Sequence, residues 1–307
     1  NHAGHDKMTW SDRIDWFDKQ NDQFETADWD EPILGRKAIN AYQDTINGES
    51  TGYVMSLDAT ASGLQIMSAL TGCIKTARAC NMINTGKRED LYTMISDEMN
   101  TKLSLVDYVD RKLVKQPIMT HYYNSKVVPA EAFNEAQLDV FYKVLDNAFE
   151  GAEALMETVN SFWNYDTDVH TWTLPDGHVA RVPVVEMADT RIEVDELEHR
   201  TFTYRYAKQQ PSTNFKSLVA NIIHSVDGYI AREMVRRSTF DLVHIHDCFV
   251  FSPEYMQDVS QLYRLIMVEI ADSNLLSDIL SEIRGEYIEV NKLTNTLSAE
   301  IAKSEYM

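Results

Sequence analysis

Apolar positions along this chain follow two rhythms. In "SGLQIMSAL" (62–70), in 88–103, in 131–163 and from Phe215 to Arg237 they recur three and four residues apart, which predicts helices. Ser62 stands where the first of these would place its N-cap. Residues 11–47, rich in alternating acidic and aromatic positions, read as helical up to Pro32. "TGYVMSLDAT" (51–60) is a short apolar run closed by Asp58 and suits a buried strand. The texture changes at 170–208. There "TWTLPDGHVARVPVVEM" sets a Pro-Asp-Gly turn between β-rich runs, and "DTRIEV" and "RTFTYRY" alternate on either side of the acidic turn "DELEH". The second pair predicts a projecting hairpin. "LVHIHDCFVF" (242–251) predicts another, with Asp247 at its tip, and helices are expected to fill most of the remainder. The expected fold class is α+β.

Composition narrows this picture. The 307 residues suffice for a large core and one or two domains. No apolar run approaches the length that spans a bilayer, and "NHAGHDKMTW" lacks the apolar core of a signal peptide, so a cytoplasmic location without membrane contact is expected. Starting at Asn1 rather than Met, the chain is expected to be trimmed or part of something larger. Cys73, Cys80 and Cys248 form no CxxC pair and no even framework, which favours a reducing compartment. The formal charge is −20, from 28 Lys and Arg against 48 Asp and Glu. Such a surface opposes tight non-specific binding to nucleic acid, which depends on many cationic contacts to phosphate.

Three stretches carry candidate chemistry. Asp58 closes one apolar strand and Asp247 tips a hairpin, so a sheet that joined them would present two carboxylates. Two carboxylates with water and substrate phosphates make a minimal cradle for two Mg²⁺ ions. Ordinary turn or cap aspartates would look the same one at a time. In "DRKLVKQPIMTHYYNSK" (110–126), Arg111 and Lys115 are four apart and share one helix face, where they can grip a triphosphate; Lys126 adds a further base. Tyr122 and Tyr123 can stack on a base or sugar. The plain alternative is a solvated helix face with aromatic core residues. Pro117 inside that helix is expected to kink or delay it and so to weaken the shared face. His2, His5 and Asp6 lack the spacing of a metal site, and His121 and His244 are expected to be structural or solvent-facing.

Taken together, the motifs resemble the single-subunit DNA-directed RNA polymerases of bacteriophages and mitochondria. "DATASGLQ" resembles that family's motif A, Asp-x-x-x-Ser-Gly-x-Gln; "RKLVKQPIMTHYYNSK" resembles motif B; "HIHDCF" resembles motif C with its His-Asp pair. The order is right, and "NHAGHDK", "EDLYTMI", "TLPDGHV" and "IIHSVDG" extend the similarity from residue 1 to at least 253. Some positions depart from the pattern: Ala59 stands for the usual Gly after the motif A Asp, Asn124 stands for the usual Gly after the motif B tyrosine, in a place where Asn tolerates special backbone, Pro117 lies inside the motif B helix, and Ile66 replaces a common His.

The resemblance implies a right-hand polymerase fold. Residues 1–72 would be palm with motif A, 73–183 mostly helical fingers with motif B, 184–208 a specificity-type hairpin, and 209–307 the palm completion with motif C and C-terminal helices. It implies that Asp58, Asp247 and the backbone carbonyl of Ala59 hold two Mg²⁺ ions. Arg111 and Lys115 would neutralise the triphosphate, with Lys115 as proton donor to pyrophosphate. Lys7 and Tyr92 would touch the entering NTP, Tyr123 would select ribose, His224 would bond the 2′-hydroxyl and His246 would position the primer end. Arg191, Arg200 and Arg205 are candidate DNA contacts, since a two-stranded ribbon fits a major groove. The expected partners are DNA template, RNA product, NTPs, a second polymerase subunit carrying the family's N-terminal and thumb modules, and a single-stranded DNA-binding protein; the chain resembles the larger subunit of a split phage enzyme. A repair-type DNA polymerase shares much of this pattern but has Gln-Ile-Glu after its motif A Asp, where this chain has "DATASGLQ". A non-catalytic acidic DNA mimic or scaffold is the third reading, and gives no reason for keeping Asp58, Asp247, Arg111, Lys115 and Tyr123 together.

Overall fold

Two helices lead the chain in the computed structural model, which describes residues 2–5, 8–20, 29–211 and 217–305. Helix α1 (Trp10–Lys19) starts where the Thr9 hydroxyl accepts the Asp12 N–H. Helix α2 (Pro32–Ile46) carries Pro32 at its first turn. Pro32 therefore opens a helix instead of ending one, as suits a residue with fixed φ and no N–H to satisfy. The pair is thinly packed: α1 buries no residue and α2 only Gly35, while Phe17 meets Tyr42 edge-on at 4.9 Å.

Strand β1 (Met55–Asp58) leads into α3 (Ser62–Thr71). Ser62 is the first helical residue and not the cap; the cap is Ala61, in left-handed conformation with φ 54°. Every residue of α3 from Leu64 to Thr71 is buried. Apolar or small apart from Gln65, whose amide is hydrogen-bonded, this helix can sit at the centre. It packs against α4 (Ile74–Ala79), α9, α10 and α11, whose ranges are Glu150–Ser161, Ser217–Arg237 and Met256–Asp272.

Between α4 and α9 lie α5 (Leu91–Asn100), α6 (Arg111–His121), α7 (Val127–Ala132) and α8 (Glu135–Ala148). The expected helix over 131–163 is broken, with Asn134 and Gln137 forming a capping box at one boundary and Phe149 non-helical at the next. Helix α6 runs through Pro117 to His121, so the proline withdraws one N–H without ending the helix. Hairpin β2–β3 (Val169–Thr173, Val179–Pro183) turns at the expected Pro-Asp-Gly and is held to α10 by Trp172 Nε1 donating to Ser225 Oγ at 2.9 Å. Strands β4 (Val185–Val194) and β5 (Arg200–Pro211) form a separate exposed two-stranded hairpin.

The sheet that matters most joins the ends of the chain. Strands β6 (Leu242–Ile245) and β7 (Cys248–Phe251) make the predicted tight hairpin, and β1 pairs antiparallel with β7, giving the order β1-β7-β6. Phe249 and Phe251 point into the core; helices α12 (Leu275–Arg284) and α13 (Leu297–Ala302) complete it. No helix among the described residues is long and apolar enough to cross a membrane.

Gly72 caps α3 with φ 69°, and a Cβ there would lie 2.4 Å from the Thr294 carbonyl oxygen. The last segment closes over this point, with Leu293 N–H donating to Thr71 O at 2.8 Å. Gly72→Ala is therefore expected to cost roughly 2 kcal/mol or more, through left-handed strain and the backbone clash. A denaturant titration reads this directly; unchanged stability would contradict the packing.

Candidate active site

The register of β1 on β7 decides the site. Asp58 faces Cys248 across the ladder, and the Ala59 N–H donates to the Asp247 carbonyl at 3.4 Å. Asp58 and Asp247, 189 positions apart in sequence, thus sit side by side at the open end of the sheet. Asp247 occupies a two-residue turn whose first residue, His246, takes φ 54°, a region that His visits more readily than most side chains. Burial, then the neighbouring Asp247, push the Asp58 carboxyl above its ordinary range, and Lys115 partly offsets this. All three residues line one cleft of about 930 Å³.

The cationic wall of this cleft is α6. Asp110 caps the helix by accepting the Leu113 N–H at 2.8 Å. One turn apart, Arg111 and Lys115 both reach over the Tyr92 ring, with cation-to-centroid distances of 5.4 and 5.7 Å. The shared face therefore exists despite Pro117. Arg111 Nε also donates to Asp90 Oδ2 at 2.7 Å, and Asp90 in turn caps α5 by accepting the N–H groups of Tyr92 and Thr93. Burial, with Cys80 next, pushes the Tyr92 phenol up to about 12, so it stays protonated beneath the two cations.

Beyond α6 the two adjacent tyrosines part. Tyr122 is only 2% exposed and packs against His121 and Phe149, which corrects its expected role as a stacking surface. Tyr123 enters the cleft and meets His224 of α10 with ring centroids 4.8 Å apart. Room for it comes from Gly63, where a Cβ would lie 3.1 Å from the Tyr123 hydroxyl. Asn124 takes φ 64°, as the Gly-to-Asn departure requires. His121 is structural: it is buried and its Nε2 lies 2.8 Å from Glu153 Oε1.

Other residues belong to the neighbourhood without having been singled out as site groups. Asp227 lies one helical turn after His224; burial first, then Asp247, raise its carboxyl, and His224, His246 and His244 pull it back. The His-to-Asp spacing in "IIHSVDG" is the signal that could have found it. Buried Gln65 accepts from the Tyr263 hydroxyl at 3.0 Å and donates to the Cys80 carbonyl at 2.9 Å, beneath the sheet end. That link spans 198 positions, and local sequence carries no trace of it.

Lys7 is outside the described residues. The three hairpin arginines do not share a face: Arg205 is forked onto Asp189 at 2.7 and 3.1 Å, on the side opposite Arg200. Near the tip of the same hairpin, Glu193, Asp195 and His199 form an exposed cluster with ligand atoms within 4.8 Å of one another.

Residues 1–165 match the model of a family described as DNA-dependent RNA polymerase. Among curated relatives, the chain is 24% identical over 285 aligned positions to DNA-directed RNA polymerase 3, chloroplastic, of Nicotiana sylvestris, covering 75% of this chain and 28% of that protein. It is 21% identical over 354 positions to DNA-directed RNA polymerase 1, mitochondrial, of Arabidopsis thaliana, covering 94% and 36% respectively. The chain thus spans about a third of these relatives' lengths. A solved structure, the POL domain of Pol1 from M. smegmatis with DNA primer-template and dNTP, aligns with a TM-score of 0.43 and 15% identity over 72% of this chain and 38% of that one.

Proposed function

Because this chain belongs to the DNA-dependent RNA polymerase family, we propose that it carries the nucleotidyl-transfer centre of a DNA-templated RNA synthase. The observation that carries the reading is the pairing of β1 with β7, which sets Asp58 beside Asp247 within reach of Lys115. In this reading 1–72 and 209–307 are palm, 73–183 fingers and 184–208 the specificity-type hairpin.

The donor set suits Mg²⁺. Two carboxylates at a strand end and a turn leave the remaining positions to water and phosphate oxygens, and an Asp58 carboxyl raised by burial and then by Asp247 gains from a divalent cation. Asp58, Asp247 and the Ala59 carbonyl would hold the ions. When bound, these activate the attacking 3′-hydroxyl and offset charge on the leaving oxygen. Arg111 and Lys115 take the triphosphate, Arg as a flat fork and Lys as a mobile point charge. Lys115 serves as the proton donor to departing pyrophosphate. Tyr92 supports both cations from below. Tyr123 and His224 together wall the sugar end, and the imidazole offers a partner to a 2′-hydroxyl that deoxyribose lacks. His246, on the turn next to Asp247, positions the primer end. A chain at −20 is expected to depend on a more basic partner, a second polymerase chain or a single-stranded DNA-binding protein, to hold template.

An RNA primer annealed to a DNA template removes the need for a promoter and tests the proposal. Mg²⁺-dependent extension with NTPs, and preference for them over dNTPs, is the expected result. Faster incorporation of dNTPs would favour the repair-type DNA polymerase instead. His224→Ala is expected to reduce the ribose preference while leaving dNTP incorporation nearly unchanged.

A further inference from the structure

The β4–β5 hairpin has two chemically different faces. Alternation along β5 puts Arg200, Phe202, Tyr204, Tyr206 and Lys208 on one side. Phe202, Tyr204 and Tyr206 are 48%, 55% and 40% exposed, and the two tyrosine rings run nearly parallel, 10° apart with centroids at 6.1 Å. Opposite them on β4 stand Ile192, Thr190 and Ala188, and the last two are too small to cover the rings. The other side carries the Asp189–Arg205 ion pair, with Arg191 and Glu193.

We propose that this aromatic face is a stacking platform for an unpaired DNA strand, with Arg200 and Lys208 at its two ends meeting phosphates. The inference rests on the polymerase reading for the choice of DNA, because a template must be unpaired to be copied. Three exposed rings in a row, two of them nearly parallel, offer aromatic surface for bases to stack on, and a duplex hides its base faces inside its own stack. The flanking cations stand roughly 26 Å apart along an extended strand, room for several nucleotides. Arg200 is exposed, and Lys208 lies 3.1 Å from Glu186, within reach of a competing phosphate. Reading a duplex in the major groove is disfavoured by the same geometry. The tip leads with Asp195, Glu196 and Glu198, Arg205 is held by Asp189, and the three arginines are divided between faces.

The test uses the full chain and a single-stranded oligodeoxynucleotide of about 12 residues containing 2-aminopurine, whose fluorescence falls on stacking, at about 50 mM salt. Wild-type chain is expected to quench the probe. Combined Phe202→Ala, Tyr204→Ala and Tyr206→Ala should weaken binding roughly tenfold or more, while Arg191→Ala stays within about twofold. Tyr204→Phe with Tyr206→Phe keeps the rings and should bind as wild type, which separates stacking from hydroxyl hydrogen bonds and from loss of the hairpin. Absence of quenching by wild type, equal or tighter binding of the duplex, tighter binding of the same sequence as RNA, or an unaffected triple variant would each overturn the proposal. Binding is read without catalysis, so a chain that quenches but does not extend primers would fail the polymerase reading and leave this one standing.

Discussion

Asp247→Ala is expected to lower templated primer extension by roughly 10³-fold or more, the scale of loss when a group acting directly on the transition state is removed. The fold should survive, because Asp247 sits on a turn at the sheet edge while the buried anchors of β7 are Phe249 and Phe251. Asp58→Asn should be as damaging to activity yet stabilising to the metal-free chain. Burial and Asp247 raise the Asp58 carboxyl above its ordinary 3.8, so the folded chain holds that proton more tightly than the unfolded one. Stability therefore falls as pH rises from the unfolded value through the raised folded value, and stays reduced above it. Asn never ionises and escapes this loss. Thermal unfolding of the two proteins in chelator should show the variant with the higher Tm at neutral pH and the difference vanishing in strong acid. Loss of activity together with a lower Tm would mean that Asp58 is a structural group.

Lys115→Ala carries the next largest effect, a fall in kcat/KM of roughly 10²- to 10³-fold. Two consequences separate it from a simple loss of binding. Lys115 is the charge that draws the Asp58 carboxyl back toward its usual range, so at Mg²⁺ below saturation, where protons compete with the metal for Asp58, the acid limb of the pH–rate profile should move to higher pH in the variant. Lys115→Arg keeps that charge and should restore the limb and much of the triphosphate affinity, but not the full rate, because guanidinium is a poor proton donor. Arg111→Ala should act differently. Its guanidinium is shared with Asp90, the cap of α5, so KM for NTP and stability should change together. A pH profile for Lys115→Ala that superimposes on wild type would contradict the proximity of this lysine to the acid pair.

What was legible in the sequence follows from how local its cause is. Strand β1 and hairpins β2–β3, β4–β5 and β6–β7 are set by short apolar runs and turn residues, and they lie where those signals stand. Asp58, Asp247, Arg111, Lys115 and Tyr123 line one cleft, and the motifs single them out because motif order survives in sequence even where the contacts between motifs do not. The misses have non-local causes. Pro32 serves equally at a helix start or after a helix end, and only the flanking backbone chooses. Tyr122 and Tyr123 look alike as neighbours, and the packing of Phe149 against one and His224 against the other divides them. Pro117 is tolerated because α6 is held by packing on α5 and α7, not by its own ladder alone. The division of the hairpin arginines needed the cross-strand register, which pairs Asp189 with Arg205 and Val194 with Arg200.

If Asp58 and Asp247 jointly bind divalent cations, Mn²⁺ should lodge between them. Crystals of the chain soaked in Mn²⁺ and NTP, read by anomalous scattering, should show metal between the two carboxylates, with none there in Asp58→Asn. Manganese found only at Glu193, Asp195 and His199 on the hairpin, or retained between the strands after Asp58→Asn, would contradict the account.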